Sequence, residues 1–163
     1  MIAKIEVERF SLTSSRPFDE VLAAIKGAVG NPNMVDFAKT TSAARTFVEL
    51  ESAVRKGLGK TGLMRFIELD HGAVIRKATG RDTPRMVRLI IGNPLIMQEM
   101  AKRVRDAGSY APVTVLVDER PDGVHISYDR MASLLAPYRN SEALVVARDL
   151  DEKVEALLYE AAG

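Results

Sequence analysis

His71 and His125 are the only histidines in the 163 residues and there is no cysteine, so acid-base chemistry has to be assembled from two imidazoles and nearby carboxylates. Asp70-His71 follows Glu68, and His125 is read across a hairpin from Asp118 or Glu119. An imidazole oriented by a carboxylate is a common general base. His71, Asp70 and His125 are therefore the catalytic candidates, with Glu68 and Asp118 in support, and an enzyme would need at least two of these groups to converge in a cleft. The plainer reading of each histidine is a hydrogen-bonded or solvent-facing turn residue, and no metal site is assigned. The missing cysteine excludes a thiolate metal site, a cysteine nucleophile, an iron-sulfur cluster and any disulfide framework.

Other patterns yield less. Ser127 lies two residues from His125, and residues two apart on a strand share a face, but no orienting acid or oxyanion loop accompanies them. Gly57-Leu58-Gly59-Lys60-Thr61-Gly62 ends like a phosphate-binding loop. The spacing rejects that reading: the required first glycine falls on Val54, and the segment follows a helix and opens a strand, the reverse of what the loop needs. A helix stop with a flexible turn explains it. Asp149 and Asp151 are read as cap and solvated neighbour, Asp151 capping a second helical segment after a bend.

Groups suited to binding are Asn93, Tyr128 and Arg88, the ligand-binding candidates, with Tyr110, Tyr138 and Arg139 nearby. Met86, Met97, Met100 and Met131 could line an adaptable pocket, although core filling is the plainer role. No cofactor is specified by any of these residues.

The elements that must position them follow from periodicity. Ala3, Ile5 and Val7 alternate with charged residues as in a half-buried strand. A helix from Pro17 carries Val21, Leu22, Ile25 and Val29 on one side, and a short helical piece covers Met34 to Ala38. Thr41 or Ser42 is expected to cap a helix over Ala43 to Lys56. Leu63 to Leu69 and Ala73 to Ala78 are expected to be strands joined by a turn at Asp70-His71-Gly72. Met86 to Ile91 is a further, central strand. Asn93 and Pro94 are a cap and a first helical residue for a helix over Pro94 to Ala107, with Ile96, Met97, Met100 and Val104 as its stripe. Pro112 to Val117 and Val124 to Tyr128 form a hairpin, and a helical segment covers about 141–161. The apolar stripe Leu150, Val154, Leu157 and Leu158 of that segment offers one route to docking a second chain. The expected fold is α+β, a two-layer sandwich in which a mostly antiparallel curved sheet has helices packed on one face, in one domain over residues 1–163.

Composition sets the exclusions. Lys and Arg number 23 against 22 Asp and Glu, interspersed, so no footprint for a nucleic-acid backbone stands out. The N-terminal residues lack the basic region and apolar run of an export signal, and no apolar run approaches the ~20 residues of a membrane span. A cytoplasmic protein that binds neither nucleic acid nor membrane is expected.

Ile91-Gly92-Asn93-Pro94, the helix after it, Ala111-Pro112-Val113-Thr114-Val115-Leu116-Val117 and Gly123-Val124-His125-Ile126-Ser127-Tyr128, in that order of elements, resemble the domain of unknown function 302 family. The resemblance spans most of the chain. It implies a small two-layer domain with helices over one face of a curved sheet, homodimers as a common form, and no established activity. Only Asn93, Pro94 and Pro112 carry over, as structural markers; between Gly30 and Leu63 the chain has extra helical sequence, and its tail after Leu135 is long. The function expected is an uncharacterised, noncatalytic small-ligand-binding or assembly module, its ligand held in a cleft between the helix after Asn93 and the sheet, with an enzyme built on the Asp and His groups as the alternative.

Overall fold

A computed structural model describes Ile2 and residues 4–163. Its five strands are β1 (Arg9–Ser14), β2 (Met64–Asp70), β3 (Met86–Gly92), β4 (Val113–Arg120) and β5 (Gly123–Asp129). They form one sheet in the order β1-β5-β4-β3-β2, with every neighbouring pair antiparallel. The helices are α1 (Phe18–Ala28), α2 (Met34–Ala43), α3 (Phe47–Gly57), α4 (His71–Thr79), α5 (Pro94–Ala101), α6 (Ala107–Tyr110), α7 (Met131–Leu135) and α8 (Ser141–Ala162). The architecture is the expected α+β sandwich.

Alternation along the strands decides which face is buried. Val87, Leu89 and Ile91 of β3, Val113, Val115 and Val117 of β4, and Val124, Ile126 and Tyr128 of β5 all point into one apolar cluster. α1, α5, α7 and α8 close it, contributing Val21, Ile25, Met100, Met131, Leu150, Val154 and Leu158. The stripe expected to dock a second chain, Leu150, Val154, Leu157 and Leu158, is thus spent inside this core, no more than 3% exposed. α8 also runs without a break through Asp149-Leu150-Asp151, so there is no bend and no second segment for Asp151 to cap.

Local chemistry moved several other boundaries. Ile5 and Val7 precede the first strand, which begins at Arg9, and Ala3 lies outside the described residues. α3 is capped by Thr46, whose hydroxyl accepts from the Glu49 amide at 3.2 Å, and Thr41 and Ser42 fall inside α2. The helix after Pro94 ends at Ala101, and residues 102–106 separate it from the single turn of α6. β3 is an interior strand, with β4 at the middle of the sheet. The largest revision is Ala73 to Ala78, which belongs to α4. Asp70 caps that helix, its Oδ1 accepting from the Ala73 amide at 2.8 Å, and Gly80 ends it at φ 66°.

The Gly57 to Gly62 segment has a mechanical explanation. A Cβ on Gly30 would lie 1.8 Å from the Gly57 carbonyl oxygen, and one on Gly59 2.3 Å from the Val29 carbonyl carbon, so two backbones cross here where no side chain fits. The amides of Gly30 and Gly59 both donate to the Leu63 carbonyl, at 2.8 and 2.9 Å, and Thr61 Oγ1 donates to the Ala28 carbonyl at 3.0 Å. The glycine-lysine-threonine run stops α3 and locks it to the end of α1. The turn expected to be flexible is hydrogen-bonded on both sides.

Candidate functional site

Of the sequence-expected groups, Asn93 borders one cleft and His71, Arg88 and Tyr128 a second on the opposite side of the sheet, while Asp70 and His125 line neither. The first opens where β3 leaves the sheet. Asn93 ends the strand, its Oδ1 accepting from the Leu95 amide at 2.8 Å while its Nδ2 donates to the Gly62 carbonyl at 2.9 Å. With Pro94 at the first helical position, this cap aims α5 across the sheet edge. Beneath α5 lies a cavity of about 130 Å³, lined by Phe66, Met97, Met100, Pro112 and Leu150 among others. Its walls are almost entirely carbon and sulfur.

Two wall residues had no sequence signal tying them to this cavity, although Leu150 belongs to the apolar stripe of the C-terminal helix. Register between β2 and β3 slips between Arg65 and Ile67, so Phe66 is the extra residue of a bulge, and its ring stands beside Gly92 and Pro112. Leu150 arrives from α8, which only tertiary packing brings over α5. Met97 and Met100 were legible from the helical stripe. Asn93 borders the cavity, but both polar atoms of its amide are used by the fold, so it builds the entrance and has little left for a ligand.

The second cleft, about 310 Å³, lies on the face that α1, α5 and α8 leave bare. It brings together Arg88, His71, Arg9, Thr114, Ser127 and Asp129. Arg88 and His71, distant in the sequence reading, meet here because α4 starts over β3. Tyr128 borders this cleft through its backbone only: its side chain is 1% exposed and points the other way, into the core.

There the Tyr128 hydroxyl donates to Asp151 Oδ1 at 2.5 Å. Asp151 is fully buried and also accepts from the amides of Met131 at 2.7 Å and Ala132 at 3.0 Å. A side chain of α8 therefore caps α7, satisfying amides that would otherwise be orphaned at a helix start. Arg130 sets one positive charge among three carboxylates, its guanidinium 2.8 Å from Glu155, 2.9 Å from Glu8 and 3.9 Å from Asp151. Burial, then the Asp151 charge, pushes the Tyr128 phenol well above its ordinary value.

The acid-base candidates are held by other partners. His125 Nε2 lies 2.8 Å from Asp122 Oδ1, which first among its causes holds the Asp122 carboxyl below its usual range. Asp118 is in register with His125, yet its Oδ2 accepts from Arg120 Nε at 2.7 Å. Glu68 pairs with Lys26 at 2.8 Å and with Arg65, and Asp70 caps α4. Among the described residues no side-chain hydrogen bond joins any two of Asp70, His71, Glu68, His125 and Asp118. No group of three His, Asp or Glu residues with metal-binding geometry occurs among them either. No helix of the described residues is long and apolar enough to cross a membrane. At the rim of the helix layer, Tyr110 and Tyr138 share a hydroxyl contact of 3.2 Å, which together with Asp106 raises the Tyr138 phenol.

Comparison with known proteins adds the following. The family model described as "Domain of unknown function DUF302" matches residues 37–161. The crystal structure of an uncharacterised conserved DUF302 protein from Bacillus stearothermophilus is similar over 94% of this chain and 97% of its own, with a TM-score of 0.66 at 12% sequence identity. At that identity the likeness is one of fold. No curated protein matches the sequence.

Proposed function

Because the chain belongs to the DUF302 family, whose description assigns no activity, we propose that its function follows from the cavity beneath α5: a noncatalytic, cytoplasmic module that holds a small apolar ligand and works as a homodimer. The observation carrying this reading is the cavity itself, at the junction of the Asn93-Pro94 cap with the Pro112 strand entry. Cavities near this size lined by carbon stay dry and accept molecules the size of benzene, which sets the ligand, or the part of it that enters, at one small ring or the end of an alkyl chain. Met97 and Met100 are unbranched and polarisable, so the wall adapts to shape. The dimer is supported by Val35, Phe47 and Val48, which α2 and α3 leave 63%, 54% and 73% exposed.

Native mass spectrometry of protein purified without added ligand reads both parts. The expected result is a dimer whose bound apolar molecule appears on denaturation. As a direct probe, benzene added to protein carrying ¹³C-methyl methionine should shift the Met97 and Met100 signals saturably, and Met97→Trp should abolish that response by filling the space. A ligand-free mass together with unmoved Met97 and Met100 signals would overturn the binding reading; a monomer at micromolar concentration would overturn the dimer.

A further inference from the structure

On the bare face of the sheet the register fixes a row of side chains, Ser11, Ser127, Leu116, Arg88 and Leu69, one from each strand in spatial order. The second cleft lies over the middle of this row, between His71 at the start of α4 and the Arg9-Asp129 pair at the far edge. Hydrogen-bond accounting separates its used groups from its spare ones. Arg9 Nε and Nη2 donate to the two oxygens of Asp129, at 2.6 and 2.9 Å, so that pair is neutralised within itself. Arg88 makes one side-chain bond, from Nη2 to Thr114 Oγ1 at 3.1 Å. Among the described residues it has no carboxylate partner, and its cross-strand neighbours on this face are Leu116 and Leu69. The His71 ring and the Ser127 hydroxyl likewise make no side-chain hydrogen bond among the described residues.

A guanidinium with most of its donors free, an imidazole and a hydroxyl thus face one cleft whose sole carboxylate is already taken. Such an excess of donors selects an acceptor-rich, negatively charged guest; a sugar or other neutral polyol would need acceptors in return. We propose that this cleft binds a small organic carboxylate. Its two oxygens sit on the planar fork of Arg88, with His71 and Ser127 supplying further hydrogen bonds. Its apolar body lies on Leu116 and Met86, which form the carbon part of the cleft. One unpaired guanidinium matches a monoanion. A phosphate dianion would bring a second charge toward Asp129 and leave the carbon surface uncovered.

This site shares no residue with the cavity beneath α5, and it stands whether or not that cavity holds a ligand. Methionine methyl signals separate the two, because Met86 lies in this cleft and Met97 and Met100 in the other. Titration with benzoate should shift the Met86 methyl saturably while Met97 and Met100 stay in place. Arg88→Gln, a change at an exposed side chain whose folding is checked by a dispersed amide spectrum, should weaken benzoate about tenfold or more, the loss of one charge-assisted fork. Ser127→Ala should weaken it by a smaller factor, and inorganic phosphate should move Met86 far less than benzoate does. The proposal is overturned if benzoate leaves Met86 unmoved, if folded Arg88→Gln binds it as tightly as the parent, or if phosphate is the better ligand. Benzoate shifting only Met97 and Met100 would overturn it too, while supporting the cavity beneath α5.

Discussion

At the scale of single residues, Asp151 shows how a side chain's role depends on what folding brings to it. Its sequence context, flanked by Leu150 and Glu152 in a helical pattern, reads as a cap or a solvated position, and nothing local announces that Tyr128 and the start of α7 will converge on it. Replacing it with alanine leaves the Tyr128 hydroxyl and the amides of Met131 and Ala132 without their acceptor, and should cost about 3 kcal/mol in a urea titration. Tyr128→Phe removes one donor and keeps the cap, for about 1 kcal/mol. The double variant should lose less than the sum, since the two residues share a bond. The Tyr128 phenol is raised in the folded state, so it favours folding fully below the ordinary tyrosine value near 10 and progressively less as pH climbs from there toward the folded value. Tyr128→Phe should therefore flatten the alkaline decline in the urea midpoint. On the acid side the signs reverse. Asp19, Glu99 and Asp122 have lowered values, from Arg85, from Lys102 with Arg103, and from His125. Their contribution is present above the usual carboxylate range and disappears as pH falls through the lowered folded values. Arg85→Gln should remove the part owed to Asp19.

Among the elements, α4 is where pattern and structure part company. Ala73-Val74-Ile75 places β-branched residues side by side after a plausible turn, which favours the strand reading. The opposing signals were also in the sequence: Asp70 three residues ahead of Ala73, Arg76 and Lys77 in the last turn, and Gly80 as a stop. The same holds for Thr46-Phe47-Val48-Glu49, a capping pattern that outranks Thr41 and Ser42. By contrast β3, β4, β5, α8 and the Asn93-Pro94 start were legible because strong alternation, helical stripes and caps agreed there. Gly72 tests the packing of α4. In a free helix, glycine to alanine is stabilising by ~1 kcal/mol. Here the new Cβ would lie 2.6 Å from the Met86 amide nitrogen and 2.8 Å from the Pro84 carbonyl oxygen, so Gly72→Ala should lower the melting temperature instead. The bulge that turns Phe66 toward the cavity had no sequence signal, since a bulge is a relation between two strands and only one of them is visible at a time.

For the molecule as a whole, rigidity is unevenly distributed. The core joins the sheet to α1, α5, α7 and α8, whereas α2 buries none of its side chains and packs mainly on α3. Native-state hydrogen exchange should find α2 opening with the smallest free energy of the long helices and the buried positions of α8 opening only with global unfolding. If α2 and α3 form the dimer surface, raising protein concentration should slow exchange there first, and sedimentation velocity over the same range should show the matching change in mass. The overall sandwich could be inferred from the sequence because it depends on alternation and order. The place of one cleft, between the helix after Asn93 and the sheet, was legible too; the full walls of both were not, because Phe66 and Leu150 in one and His71 and Arg88 in the other meet only after the layers close.

β1 lies at one edge of the sheet and pairs only with β5, so that Arg9 meets Asp129 across 120 positions of chain. During synthesis the first strand therefore leaves the ribosome on the order of ten seconds before its partner exists, at ordinary rates of translation. Throughout that interval Phe10 and Leu12, which will pack against the core, are carried on a segment with an unsatisfied backbone. Nascent chains of this protein should depend on whatever shelters such a segment until β5 and α8 emerge, and ribosome-bound chains stalled before Gly123 should remain sensitive to protease at residues 9–14.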